Sequence, residues 1–281
     1  MNSDESDFYG DDDLVVDLNR KVDHFDVRKW WQDHEALNTP LNLRARGVSE
    51  NTSHLHNPYA GDTYAWQLTE SVDAFLSRLP PATTGEAPGH CWIWVCNPYI
   101  KRKSRNEAQN QRVRGGEDEA PEDEGADLAT LMQAGEERLH FVSSFVDQFR
   151  RPGLSRALVI QETRKAGTDA AKDILDLAKG LRVTCGKWML FCTAFEVNEV
   201  WGIIAKATAN NELGIAAKVA TKPNIDQRTE RLICVYTADF SDKGDVTRVA
   251  ERLRQLGLVK DKPLYYKPGQ SIAPICGSFH S

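Results

Sequence analysis

The stretch GKWMLFCTAFEVNEVWGIIAKA, residues 186–207, switches its apolar period part-way along, and a chain with that switch has to run from a strand directly into a helix. Trp188, Leu190 and Cys192 alternate with Met189 and Phe191, apolar on both sides, as in a strand covered on both faces. Thr193 and Glu196 then have the spacing of a capping box, in which hydroxyl and carboxylate satisfy free amide donors at a helix start. Val197, Val200, Trp201 and Ile204 follow on one helical face. Both indoles, Trp188 and Trp201, are therefore expected in packing and not in ligand contact.

The same reading extends along the chain. HCWIWVCNPY is a strand stopped by Asn97-Pro98, and a long helix should occupy about 128–150. Strand SRALVIQET, helix 169–180, strand KWMLFC and helix 195–209 come next. Strands GIAAKVAT and RLICVYTAD, helix 244–256 with Gly257 at its end, and strand PLYYK complete the order. Upstream, helices are expected at 22–37 and 69–79, the second ending at Pro80-Pro81. Strands outnumber helices after residue 90 and their linkers are short. The expected class is α+β: a curved, mostly antiparallel sheet backed by helices on one face, with an N-terminal helical extension. A doubly wound parallel sheet is the rival, but neither GxGxxG nor GxxxxGK[ST] occurs in the chain. The expected organisation is a disordered acidic arm at 1–20, a helical extension at 21–89 packed on the core, and a core at 90–281 interrupted by a disordered insertion near 101–126.

Charge is segregated. Residues 1–13 carry six carboxylates and 115–127 carry seven, with no base in either, while 101–114 holds six bases and one acid. The net charge of -6 thus comes from two local acid blocks around a body near neutrality. That pattern permits nucleic-acid contact without requiring it.

The six cysteines lie in or beside apolar segments, which fits small buried hydrophobes in a reducing compartment. Cys91 and Cys96, like Cys185 and Cys192, are an odd number apart, so on a strand they point to opposite faces and cannot share an ion. No metal and no cofactor are expected. No apolar run approaches the ~20 residues of a membrane helix, and the acidic start resembles neither a signal nor a transit peptide. No membrane partner is expected, and the cytoplasm, with the nucleus as a second place, is the expected location. No GxSxG elbow is present, and His90 and Cys91 are strand neighbours that point apart, so the chain is read as a non-enzyme.

From 186 to 269 the order GKW strand, VWGIIAKAT helix, GIAAKVAT and LICVYTAD strands, DVTRVAERLRQLGL helix and PLYYKPG strand resembles the second half of the translation initiation factor 4E fold. WIWV is similar to that family's first strand. With the N-terminal extension, the chain resembles the basophilic-leukemia-expressed-protein family, whose core is similar to the 4E fold; the resemblance covers roughly 90–270. It implies a groove in which two tryptophans sandwich a methylated guanine, a glutamate reads the base edge and basic side chains hold phosphates. The carry-over fails at the centre. Where the family has a Trp-Glu phrase, this chain has RKAGTDAAKDILDLAKGLRVTC, with no aromatic residue. Tyr99 follows WIWV where a tryptophan is expected, and Tyr236 matches the residue that contacts the methyl group.

The expected ligand is RNA or a nucleotide, held with altered base-reading residues. Tyr99 and Tyr236 are candidate stacking groups by resemblance, and Lys222, Arg228 and Arg231 in the loop TKPNIDQRTER are the phosphate candidates. Tyr64 and Trp66 match no family position; they are candidates because aromatic residues in a polar loop are often available. Lys218 and Lys267 lie within strands, where they face either a groove or water. The alternative is a protein-interaction scaffold using Trp30-Trp31, the DLVVDL patch and the charge-segregated insertion.

Overall fold

A computed structural model of the chain describes residues 54–104, 118–149, 155–223, 230–259 and 264–269, together with Lys29. The acidic arm with its DLVVDL patch, the helix expected at 22–37 apart from Lys29, and Arg228 lie outside the described residues. Residues 1–48 and 49–281 form two units, and everything below concerns the second.

Five strands make one open sheet: β1 (Trp92–Cys96), β2 (Gly186–Thr193), β3 (Ala216–Ala220), β4 (Glu230–Thr237) and β5 (Tyr265–Pro268). Their spatial order is β1-β3-β4-β2-β5 and every neighbouring pair is antiparallel. The fold class is thus the expected α+β one, and the parallel rival is excluded. Five helices are described: α1 (Val72–Arg78), α2 (Leu128–Phe149), α3 (Arg156–Gly180), α4 (Val197–Ala209) and α5 (Lys243–Gln255).

Strand alternation sorts the sheet into two faces. Ile93, Val95, Ala217, Val219, Ile233 and Val235 point to one face and are completely buried. They meet α4, whose Val197, Trp201, Ile204 and Ala205 are equally inaccessible. Burial of each such large side chain contributes about 1.5–3 kcal/mol, so this layer is the main apolar core. Trp201 meets Phe75 of α1 edge-on at 6.5 Å. Trp188 faces the same way, its Nε1 donating to the Val246 carbonyl of α5 at 3.1 Å, with the ring tilted on Tyr266 at 4.7 Å. Both indoles pack, as their spacing predicts.

Thr193 and Glu196 make the reciprocal bonds of the capping box: Thr193 N donates to Glu196 Oε2 at 3.2 Å, and Glu196 N to Thr193 Oγ1 at 3.3 Å. They close the turn before α4, whose first residue is Val197. Gly214 precedes β3 at a point where a Cβ would stand 1.8 Å from the Tyr236 carbonyl oxygen, so only glycine lets these backbones approach.

Two expectations need correction. SRALVIQET is no strand: Ser155 accepts from Leu158 N and caps α3, a continuous helix of 25 residues that also absorbs the expected 169–180 helix. A short apolar run suits a helix turn as well as a strand, and here the cap and the 3.6 period carried on through Ile174, Leu177 and Ala178 prevail. α3 packs on α2, joined at its base to the body by Leu128, Leu131, Ala178 and Val183 with Phe240 beside them. Second, residues 118–126 are not an open insertion. Glu119, Ala120 and Pro121 are buried, and residues 105–117 lie outside the described set.

Candidate functional site

The sheet face opposite α4 is where the charged residues converge. Lys218 stands in the middle of β3 and Lys187 near the start of β2, and β4 between them contributes Tyr236. Both lysines are buried, at 2% and 5% exposure, in strands that are otherwise apolar. Burying an ammonium group is costly unless acceptors meet it, so the neighbours of each define the site.

Those acceptors come from one short segment. Glu119, itself 4% exposed, places Oε1 2.5 Å from Lys187 Nζ, and its Oε2 accepts from the Tyr236 hydroxyl at 2.9 Å. Lys218 Nζ donates to the Asp118 carbonyl oxygen. Burial works to raise the Glu119 pKa, but the Lys218 and Lys187 charges and the bonds from Lys187 and Tyr236 outweigh it and hold the carboxyl below its ordinary range. Burial brings Lys218 down to about 8, and burial with the Glu119 charge pushes the Tyr236 phenol well up.

Lys218 also sits among aromatic faces. Its Nζ lies 3.9 Å from the Trp92 ring centroid, 5.2 Å from Trp94 and 5.8 Å from Tyr236. The indole and phenol faces therefore already hold a cation belonging to the chain itself. Tyr59 covers the outer side of Trp94, with centroids 5.1 Å apart. Towards β5 the same face opens: Lys267 pairs in register with Lys187, and Tyr265 with Met189. Tyr265 and Phe191 are 54% and 42% exposed there. The face thus runs from a filled part around Trp94, Lys218, Tyr236 and Lys187 to an accessible part around Phe191, Tyr265 and Lys267.

The expected site residues divide. Tyr236 and Lys267 belong to this face. Trp66 is buried with Nε1 bonded to the Glu70 carbonyl at 3.1 Å, a packing position. Tyr64 stacks on His90 at 4.5 Å, and its hydroxyl donates to the Gly85 carbonyl. Tyr99 is exposed in the turn after β1, fixed by its amide on Asn97 Oδ1 at 3.1 Å. Lys222 is exposed, its backbone bonded to residues 84 and 86. Arg231 is buried and, by alternation with Ile233 and Val235, shares the helix-side face. Neither Lys222 nor Arg231 joins the Lys187–Lys218 group.

Glu119, Lys187, Trp92, Phe191 and Tyr265 were not singled out from sequence. The available signal was a lysine interrupting an apolar strand, present at both Lys187 and Lys218. Glu119 carried none, being one acid in an acidic run. Among the described residues, no group of three or more His, Cys, Asp or Glu side chains is placed to hold a metal ion. No helix among them is long and apolar enough to cross a membrane. The shallow concavity beside Ile160, Arg164 and Lys165 is lined by α3 alone and shares no residue with the charged face.

An open antiparallel sheet, helix-backed on one side and carrying basic and aromatic side chains on the other, defines an α+β protein. The family model described as Basophilic leukemia-expressed protein Bles03 matches residues 18–271, and the chain belongs to that family.

Proposed function

We propose that the chain is a non-catalytic binding protein for RNA or a nucleotide, which it takes on the sheet face opposite α4, the 4E-like groove with altered base-reading residues. The observation that carries this reading is the row Lys218, Lys187, Lys267 across four adjacent strands, lined by Trp92, Trp94, Tyr236, Phe191 and Tyr265. Ammonium groups neutralise phosphates, and exposed rings stack on bases of any identity. A cationic methylated base gains little here, since Lys218 already occupies the aromatic faces that would attract it. Phosphate contact at Lys267, reaching Lys187 where Glu119 gives way, with stacking on Tyr265 or Phe191 is the binding mode this supports, and such ligands belong to the cytoplasm or nucleus.

The test is a tryptophan-fluorescence titration of the full chain with GTP, a methylated cap analogue and a short single-stranded RNA, at low and high salt. Saturable, salt-sensitive quenching without methyl preference is expected; silence with all three overturns the reading. One observation favours a protein-interaction scaffold instead: Phe141 and Ile160 on the α2–α3 hairpin are 66% and 56% exposed. A stable co-purifying protein whose retention is lost on Phe141→Ser and Ile160→Ser would favour it.

A further inference from the structure

We propose that the Asp118–Glu119 segment is an internal stand-in for the ligand's anionic group, so that phosphate binding at Lys187 and Lys218 requires this arm to leave. The proposal rests on the nucleotide reading above and adds its regulation.

Three donors define the filled part of the face, and two consecutive residues satisfy all of them. Glu119 takes Lys187 and the Tyr236 hydroxyl, and the Asp118 carbonyl takes Lys218. A carboxylate bridging an ammonium and a phenol presents the same acceptor set as one edge of a phosphate. Among the described residues Lys218 contacts no carboxylate, only that carbonyl and three rings. A ligand phosphate therefore offers Lys218 a direct anionic contact, where the arm supplies the Glu119 charge without one.

The arm is built to be released. Residues 118–126 form turns and no helix or strand. The opposed charge blocks of the sequence zip together here: Lys101 pairs with Glu124 at 2.7 Å, Arg102 with Asp123 at 3.8 Å, and Lys103 N donates to the Glu122 carbonyl at 3.1 Å. The Lys101–Glu124 pair is largely exposed, and pairs of that kind hold weakly and yield to salt. Beyond the arm the chain is fixed again. Asp127 N donates to the Leu181 carbonyl at 3.0 Å, and the Asp127 carboxylate accepts from Thr130 N, so α2 need not move.

The test compares full-length wild type, Glu119→Gln and Lys101→Glu; the last loosens the zip from outside the pocket, should the first fail to fold. Two readouts are taken: affinity for GTP and inorganic triphosphate, and the labelling rate of Cys234, resolved from the other thiols by mass spectrometry. Cys234 is buried on this face, paired with Lys218 and Met189. A state open about one tenth of the time weakens apparent affinity about tenfold, so Glu119→Gln is expected to bind about fivefold to tenfold tighter and Lys101→Glu about twofold to fourfold tighter, each labelling Cys234 faster by a similar factor. Variants that label faster but bind no tighter than a binding wild type overturn the proposal and leave the nucleotide reading standing. Silence towards both ligands in all three proteins, despite a reactive Cys234, overturns both. Unchanged Cys234 labelling in both variants makes the arm a fixed part of the sheet face, and the proposal fails.

Discussion

Glu119 and Lys187 are 68 residues apart in the chain, and their charged atoms meet at 2.5 Å inside it. The contact joins a segment outside any helix or strand to the second residue of β2, so Glu119 packs on the sheet face. Truncating one partner of such a pair strands the other charge in the interior, at a cost of about 3–5 kcal/mol. Glu119→Ala and Lys187→Met are each expected to destabilise the fold by about that much, and the double variant by clearly less than the sum. Urea unfolding measures all three; additive losses would mean that the two groups do not depend on each other.

Acid should attack the same contact. The Glu119 pKa lies below its ordinary value in the folded chain, so between the two values the unfolded chain binds more protons. Stability from this group is complete above the ordinary carboxylate range, about pH 4, and falls as pH drops through the depressed folded value. Thermal melts of wild type and Glu119→Gln from pH 6 to pH 2.5 should converge at the acid end. Parallel curves would sink the assignment.

Gly214→Ala places a methyl group against the Tyr236 carbonyl, where neither backbone can yield cheaply. A loss of about 2 kcal/mol or more is expected. Gly202→Ala is the control: inside α4 its Cβ meets only Leu76 Cδ1 at 3.8 Å, and helix propensity predicts a gain of up to about 1 kcal/mol. Denaturation midpoints that moved in the same direction for both would refute this account of Gly214.

On the accessible part of the face, Tyr265→Ala should weaken binding of a short single-stranded RNA by about 1–3 kcal/mol through lost stacking. Lys267→Glu should weaken GTP and RNA alike and reduce the salt dependence of RNA binding. Fluorescence titrations at two salt concentrations decide both. A preference for methylated cap over GTP greater than about threefold would contradict the occupancy of the rings by Lys218.

The strands were legible because their apolar runs are short, β-branched or aromatic and bounded by turn residues; β1 and β3 lie within the expected segments, and β2, β4 and β5 overrun theirs by one residue at one or both ends. Helices α4 and α5 were legible from period and cap. The α3 start was not, because Ala157-Leu158-Val159-Ile160 fits either period over four residues. The candidate site was legible only in part. Tyr236 and Lys267 came from resemblance and strand position, whereas Glu119 depends on a tertiary contact that no local pattern encodes. Trp66 misled for a physical reason: a polar loop that lies along a sheet edge buries its aromatic residues.

That loop closes the sheet on one side. Trp66 N donates to the Trp94 carbonyl and Trp94 N to the Tyr64 carbonyl, each at 2.9 Å, so both outward backbone groups of Trp94 in β1 are spent. At the opposite border β5 offers four residues, one of them a lysine and the last a proline without an amide hydrogen. An incoming strand finds no template beside β1 and a poor one beside β5. At the described sheet, any contact with a partner falls to side chains, and a peptide that recruits partners by backbone pairing would find little to grip.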